Sequence, residues 1–179
     1  LPIVFFLYWF VTNKNLKLQN FLIFAASYVF YGWWDWRFLS LLLFSTVVDY
    51  LVGVGLLNQN NQTKRKLLLL TSLVVNLGFL ALFKYYNFFI DNFITAFTFF
   101  GYHLKVNTLN IILPVGISFY TFQTLSYSID VYKRKLEPTK DFVAFAAYVS
   151  FFPQLVAGPI ERATNLLPQF YSKRTFEYD

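Results

Sequence analysis

Long apolar runs separated by short polar connections dominate the chain. A membrane-spanning helix needs about 20 mainly apolar residues, within a range of ~17–25. Leu1 to Val11 reads as the tail of one such span. Leu18 to Trp34, Phe38 to Leu57, Leu67 to Phe83 and Leu109 to Val131 read as four more. Two further apolar stretches fit less well. Phe88 to Phe100 is too short to cross comfortably and is placed flat or re-entrant at the outer interface, within a connection running from Asn87 to Asn110. Phe142 to Ala157 is interrupted by Pro153 and reads as a short, kinked or re-entrant segment packed against protein. The pattern predicts an all-α, polytopic transmembrane helix bundle of about five spans plus re-entrant or interfacial helices.

The connections give the runs a direction. Lys14 and Lys17 lie in the first, Asp35 and Arg37 in the second, and Lys64, Arg65 and Lys66 in the third. Basic loops favour the cytoplasm, so the first and third are inside and the second outside. Lys133, Arg134 and Lys135, after the last span, also fall inside. The aromatic cluster Phe30-Tyr31-Gly32-Trp33-Trp34-Asp35-Trp36 is of the kind that sits at headgroup level.

Composition narrows the class further. Hydrophobic residues make up 57% of the 179 positions and charged residues 13%. Soluble domains run nearer ~45–50% and ~25%. Disorder is excluded and an ordinary soluble enzyme is disfavoured. The net charge of +6 would suggest nucleic acid in a soluble domain. Here the basic residues cluster between apolar runs, so the partner is the lipid bilayer and no nucleic acid is expected. There is no Cys and a single His. Thiolate chemistry, disulfides and multi-histidine metal sites are thereby excluded. No repeat of fixed period and no linker divides the chain, so residues 1–179 form one unit.

Candidate chemistry is sparse. Asp49 lies within a span, where a carboxylate costs at least ~2.5–3.5 kcal/mol and must face protein or water. It is either a pathway or partner residue or a polar anchor between helices. Gly53 and Gly55 follow and permit close helix packing. In the last span, Ser118, Thr121, Thr124 and Ser128 share one broad face. Tyr120, Gln123, Tyr127 and Asp130 fall nearly opposite, with an apolar strip of Val115, Phe119, Phe122 and Ile129 between them. A helix polar on two sides belongs inside a bundle or beside a wet cavity. Pro114 and Gly116 predict an irregular first turn. The stretch from Pro153 and Gln154 through Gly158 and Pro159 to Glu161 and Arg162 breaks the helix within membrane-like sequence. It is either a substrate entrance or a helix cap with surface charges. His103 sits in a loop without a carboxylate nearby in sequence. Gly116-Ile117-Ser118-Phe119 makes no nucleophile elbow, and Gly53-Val54-Gly55 lacks the rest of a dinucleotide motif. Asn61-Gln62-Thr63 matches a glycosylation sequon but falls on the inner side.

Several stretches carry a resemblance. They are Phe30-Tyr31-Gly32-Trp33-Trp34, Asn76-Leu77-Gly78 with Phe83 to Phe89, Leu113 to Gln123, Ser150 to Ile160, and Leu167-Pro168-Gln169-Phe170. In this order and spacing they resemble the membrane-bound O-acyltransferases, in particular the bacterial alginate O-acetylation type. The teichoic-acid D-alanyl transfer protein is a relative. The resemblance implies a multi-span enzyme of the bacterial inner membrane. It would move an acyl group, acetyl first among them, from a cytoplasmic thioester donor such as acetyl-CoA towards periplasmic O-acetyltransferase partners that modify a polysaccharide. It also implies a membrane tunnel holding a histidine that follows an Arg-Trp-His-type stretch in the later half of the family. His103 does not occupy that motif. The chain is therefore read as the N-terminal portion of a longer protein, without a catalytic residue of its own, with no bound cofactor, and inactive by itself. The candidate tunnel-lining residues are Asp49, Ser118, Thr121, Gln123, Tyr127, Asp130, Pro153, Gln154, Gly158, Glu161 and Arg162. The residues alone equally allow a transporter or flippase half, for which broken helices are natural, and a non-catalytic membrane scaffold.

Overall fold

The computed structural model describes residues 2–12, 14–99, 114–159 and 161–174, and every element among them is helical. Helix α1 (Pro2–Phe6) runs into a π turn (Leu7–Val11). Helix α2 (Leu16–Leu57) follows, then α3 (Gln62–Leu80), a second π turn (Ala81–Tyr85) and α4 (Tyr86–Phe99). After residues 100–113 come α5 (Ile117–Tyr132), α6 (Phe142–Val149), α7 (Phe152–Ala157), α8 (Ala163–Leu166) and a 3-10 turn (Leu167–Phe170). His103 and the expected start of the last span, Leu109 to Leu113, lie outside the described residues.

The expected second and third spans are the two legs of α2. At 42 residues the helix would be about 63 Å long if straight, twice the ~30 Å of a bilayer core. It is not straight. Asp35 leaves the helical region at φ −158° and ψ 109°, and the chain folds back there. A Cβ on Gly32 would stand 2.7 Å from Cδ1 of Leu39 across the bend. Asp35 itself accepts from the Arg37 backbone N–H at 3.0 Å and from its guanidinium at 2.7 Å. That pairing holds the Asp35 carboxyl below its usual value. Trp33, Trp34 and Trp36 splay outward around the bend, where an aromatic belt places them.

Four legs then alternate in direction. Residues 16–34 run away from the basic loops and 36–57 return. Helix α3 runs away again and α5 returns. Contacts at each end fix this. At one end Tyr31 donates to the Val115 carbonyl at 2.6 Å, and Lys84 reaches Ser118 at 3.3 Å. At the other, Gln62 donates to the Tyr132 hydroxyl at 2.9 Å and Tyr50 to the Lys140 carbonyl at 2.8 Å. The clusters holding Lys17, Arg65, Lys133 and Lys140 gather at this one end, as the loop-charge rule predicts.

Side-chain caps start the legs. Asn15 accepts from the Lys17 and Leu18 N–H groups, and Asn61 from those of Thr63 and Lys64. The Asn61 of the sequon is therefore a helix cap. One sequence expectation needs correction. The segment Phe88 to Phe99 is joined to α3 through the π turn, so Gln62–Phe99 is one continuous helical stretch of 38 residues rather than a span and a separate piece. Helix α5 begins at Ile117 and its 16 residues cover about 24 Å; residues 109–113 of the expected last span lie outside the described residues.

The segment after α5 dips into the bundle and returns. Asp141 caps α6 by accepting from the Ala144 N–H at 3.0 Å. Residues Ala144 to Val149 are wholly buried. The break falls at Ser150-Phe151, and Pro153 sits in the first turn of α7, where its missing N–H costs nothing. Pro153 thus starts the second short helix instead of interrupting one long one. Leu155 packs 3.4 Å from the Cβ position of Gly116, at the end far from the basic loops. The chain then comes back, and the Phe170 carbonyl accepts from Asn20 at 2.8 Å.

Candidate functional site

Beside its apolar core the chain exposes large apolar side chains and buries many polar ones. Exposed positions include Val29, Phe44, Leu51, Leu67, Val74, Phe88 and Phe93, while Asn20, Ser45, Asp49, Ser72, Asn76, Gln123 and Ser128 are buried. Two helices, Leu16–Leu57 and Gln62–Phe99, are long and apolar enough to cross a membrane. In a helix that crosses hydrocarbon, polar groups must find partners inside.

Helix α5 meets both demands at once. Tyr120, Thr121, Gln123, Thr124, Tyr127 and Ser128 are buried, whereas Val115 just ahead of the helix and Phe122 within it are exposed at 40% and 48%. Both polar sides predicted from the periodicity face protein, and part of the apolar strip faces out. The irregular start is present: Gly116 adopts φ +76°, and the Pro114 carbonyl accepts from the Ile117 N–H at 3.3 Å. Only glycine takes that φ without penalty.

On one side α5 closes a knot of polar groups around Asp49. The carboxylate accepts from Ser72, from Asn76 at 2.7 Å and from Ser128 at 2.8 Å. The Asn76 oxygen in turn accepts from Ser45 at 2.6 Å and Thr124 at 3.1 Å. This joins the second leg of α2, α3 and α5. Gly53, one turn below Asp49, lets them close: a Cβ there would lie 2.8 Å from Cε1 of Tyr127. Sequence reading singled out Asp49 without its partners. The signal was present, because Arg65, Ser72 and Asn76 are spaced seven and four residues apart on one face of α3 and are all buried.

The opposite side is wired differently. Tyr127 accepts from the Thr139 N–H at 3.2 Å, and Tyr148 of α6 donates to the Gln123 carbonyl at 3.3 Å. The Gln123 amide nitrogen and the Tyr120 hydroxyl on this side are buried without a hydrogen-bond partner, as are the Tyr28 hydroxyl on the first leg of α2 and, on the Asp49-facing side of α5, the Thr121 hydroxyl. Unsatisfied buried groups cost about 1–3 kcal/mol each, so a run of them calls for a polar guest or water.

The remaining candidates do not join either group. Ser118 is half-buried at the far end, beside Lys84. Asp130 is half-buried near the end of α5, its carbonyl accepting from the Lys135 N–H at 2.9 Å. Gln154 is buried and donates to the Pro159 carbonyl at 2.8 Å, which closes the turn through Gly158. Pro153 is exposed, Glu161 half-buried and Arg162 exposed as the residue preceding α8. The eleven candidates therefore do not form a single cluster: Asp49 of α2 meets one side of α5, Gln123 and Tyr127 lie on the other, and Pro153, Gln154, Gly158, Glu161 and Arg162 belong to a separate segment.

Arg65 was read only as a topology charge. It is 4% exposed. Its guanidinium donates to the carbonyls of Leu56 at 2.9 Å and Tyr132 at 2.7 Å, and so caps the ends of α2 and α5 together. Among the described residues no group of three His, Cys, Asp or Glu side chains is placed to hold a metal ion.

Comparison with known proteins shows what the chain resembles. A probable alginate O-acetylase, AlgI, of Azotobacter vinelandii is 42% identical over 91% of this chain. Its counterpart in Pseudomonas aeruginosa is 40% identical over the whole chain. Along its length the chain is similar to alginate O-acetylases. A peptidoglycan O-acetyltransferase of Helicobacter pylori is 32% identical over 89% of the chain. The chain spans about a third of the length of these relatives, 32% and 34% of the two O-acetylases. No family model and no solved structure matches it. The long apolar helices, the Asp49 knot and the two-sided α5 all lie within the stretch over which this chain is similar to them.

Proposed function

We infer that this chain forms a multi-span, membrane-embedded wall of an O-acetyltransferase acting on a cell-surface polysaccharide. The observation that carries the reading is the similarity to alginate O-acetylases along the whole chain. The long apolar helices and their exposed apolar side chains support a bilayer setting, with the basic end towards the cytoplasm of a bacterial inner membrane. The sparse chemistry supports a division of labour. Acyl transfer needs a base near the acceptor hydroxyl and a shielded, oriented donor. Histidine suits the first task at neutral pH. The chain's one histidine, His103, does not stand in the Arg-Trp-His-type stretch that the resemblance implies, so in this reading the base comes from elsewhere and the chain alone does not turn over. Its contribution is the shielding.

In this reading the two sides of α5 have separate tasks. The Asp49 side locks the legs together. The Gln123 and Tyr120 side offers unpartnered polar groups to whatever passes. The donor is an acyl thioester such as acetyl-CoA on the basic side, and the acceptor is reached through periplasmic partners.

A chimera tests this. The matching third of the Pseudomonas aeruginosa alginate O-acetylase is replaced by this chain, in cells lacking their own enzyme. Acetate esterified to alginate should return to a measurable fraction of the parental level, and the 179-residue chain expressed alone should give none. A chimera that accumulates in the membrane yet esterifies no acetate would count against the reading, as would transfer by the chain alone.

A further inference from the structure

A second cavity lies away from α5, between α1 and the returning segment. It encloses about 400 Å³, within the range of small-molecule pockets. Its walls are apolar, with Ile23, Phe152, Leu166 and Phe170 among them, and Tyr8 and Arg174 complete the lining.

Arg174 is unusual here. Its guanidinium donates to the Gln169 carbonyl at 3.1 Å, to Asn20 at 3.0 Å and to the Tyr8 hydroxyl. It stands 5.0 Å from the Phe170 ring centre and 5.5 Å from that of Tyr8. All of these partners are neutral, and among the described residues no carboxylate pairs with it. They fix the side chain in place, and none of these described partners cancels its charge. Arg has five N–H donors, so one remains on each terminal nitrogen. A planar fork of this kind suits a phosphate better than any point charge.

Position completes the argument. Asn20 and the N-terminal part of α2 belong to the basic end of the bundle, with Lys17 and Lys173 exposed nearby in sequence. A fixed, uncancelled cation beside an apolar slot at that level matches an amphiphile with an anionic phosphate head and an acyl tail. We propose that the slot between α1 and Phe151–Arg174 binds one acyl chain of an anionic phospholipid, with its phosphate on Arg174. The proposal rests on the membrane reading above. Charge complementarity selects the anionic lipid over a zwitterionic one, and the apolar walls select a tail over a free phosphate.

The test uses the whole protein, extracted from its membrane in mild detergent and exchanged into micelles holding equal amounts of phosphatidylglycerol and phosphatidylethanolamine. Native mass spectrometry counts the lipid retained. The wild type should keep phosphatidylglycerol about fivefold over phosphatidylethanolamine, the scale of one basic residue at a lipid surface. Arg174→Gln should bring the ratio near one and Arg174→Lys should retain most of the preference. Leu166→Trp, which fills the slot, should lose the retained lipid whatever its head. Should Arg174→Gln not fold, the lysine and tryptophan variants carry the test. Equal retention of both lipids by the wild type, an unchanged preference in Arg174→Gln, or a folded wild type with no retained lipid would each overturn the proposal; the last would mean that protein covers the slot. Recovery of the protein in the soluble fraction would instead defeat the membrane reading itself.

Discussion

The two polar sides of α5 sit in the same bundle but carry different residue types, small hydroxyls on one and Tyr and Gln on the other, and they are finished in different ways. Towards α3 and the second leg of α2, the Asp49 carboxylate and the Asn76 amide use their hydrogen-bonding capacity on Ser45, Ser72, Thr124 and Ser128. Towards α6 and the first leg, Tyr120 and Gln123 bury polar atoms that nothing answers. A satisfied network rigidifies a bundle, and a half-satisfied one is a cost that persists only where something else repays it. The difference separates a clamp from a wall.

The largest effect should come from breaking the clamp. Asp49→Ala leaves three buried donors without their acceptor, each worth about 1–3 kcal/mol. We expect a loss of about 3 kcal/mol or more and little folded protein in the membrane, read by resistance to unfolding in mixed detergent micelles. Ser128→Ala removes one donor and should cost about 0.6–1.7 kcal/mol. A folded Asp49→Ala protein of wild-type stability would show that the knot does not hold the legs.

Arg65→Met should come next. It strips the cap from the ends of α2 and α5 at once and should cost about 2 kcal/mol by the same measurement. Arg65→Lys should recover little, because an ammonium cannot span the Leu56 and Tyr132 carbonyls as the guanidinium does.

The wall predicts the reverse pattern. Tyr120→Phe removes a hydroxyl that has no partner, so stability should change by no more than about 0.5 kcal/mol. Gln123→Leu should likewise leave the fold intact. In the chimera described above, however, Gln123→Leu should lower alginate acetylation several-fold while Ser128→Ala lowers it only as far as it lowers protein level. Equal acetylation per folded molecule in both variants would erase the distinction between the two sides.

Much of this was legible in the chain, for a physical reason. Helical period and loop charge are local signals, so the bend at Asp35, the alternating legs and the two-sided α5 followed from sequence. So did the re-entrant Phe142–Ala157 segment and the irregular turn at Pro114 and Gly116. What escaped depends on partners far away in sequence. Asn76 and Ser72 meet Asp49 across more than twenty positions, and Arg65 meets Tyr132 across 67. No local pattern distinguishes a lysine-like loop charge from a cation that caps two helices. The join between Leu67–Phe83 and Phe88–Phe99 escaped for another reason. Phe88–Phe100 is too short to cross and was set apart for that reason, but a π turn joins it to α3 without ending the helix.

A last pair of effects concerns the two ends of α5. Arg134 sits in the left-handed region at φ 58°, where the chain reverses and the Lys135 N–H returns to the Asp130 carbonyl at 2.9 Å. Glycine is the usual residue for such a helix end. Arg134→Gly should therefore stabilise the folded chain by about 0.5–1 kcal/mol if the strain is local. Its counterpart at the other end is Gly116→Ala, which forces a side chain into φ +76° with Leu155 3.4 Å away and should destabilise by about 1–2 kcal/mol. The two substitutions probe the same backbone region with opposite expected signs. A shared sign would mean that tertiary contacts, not local backbone preference, set the ends of the helix that divides clamp from wall.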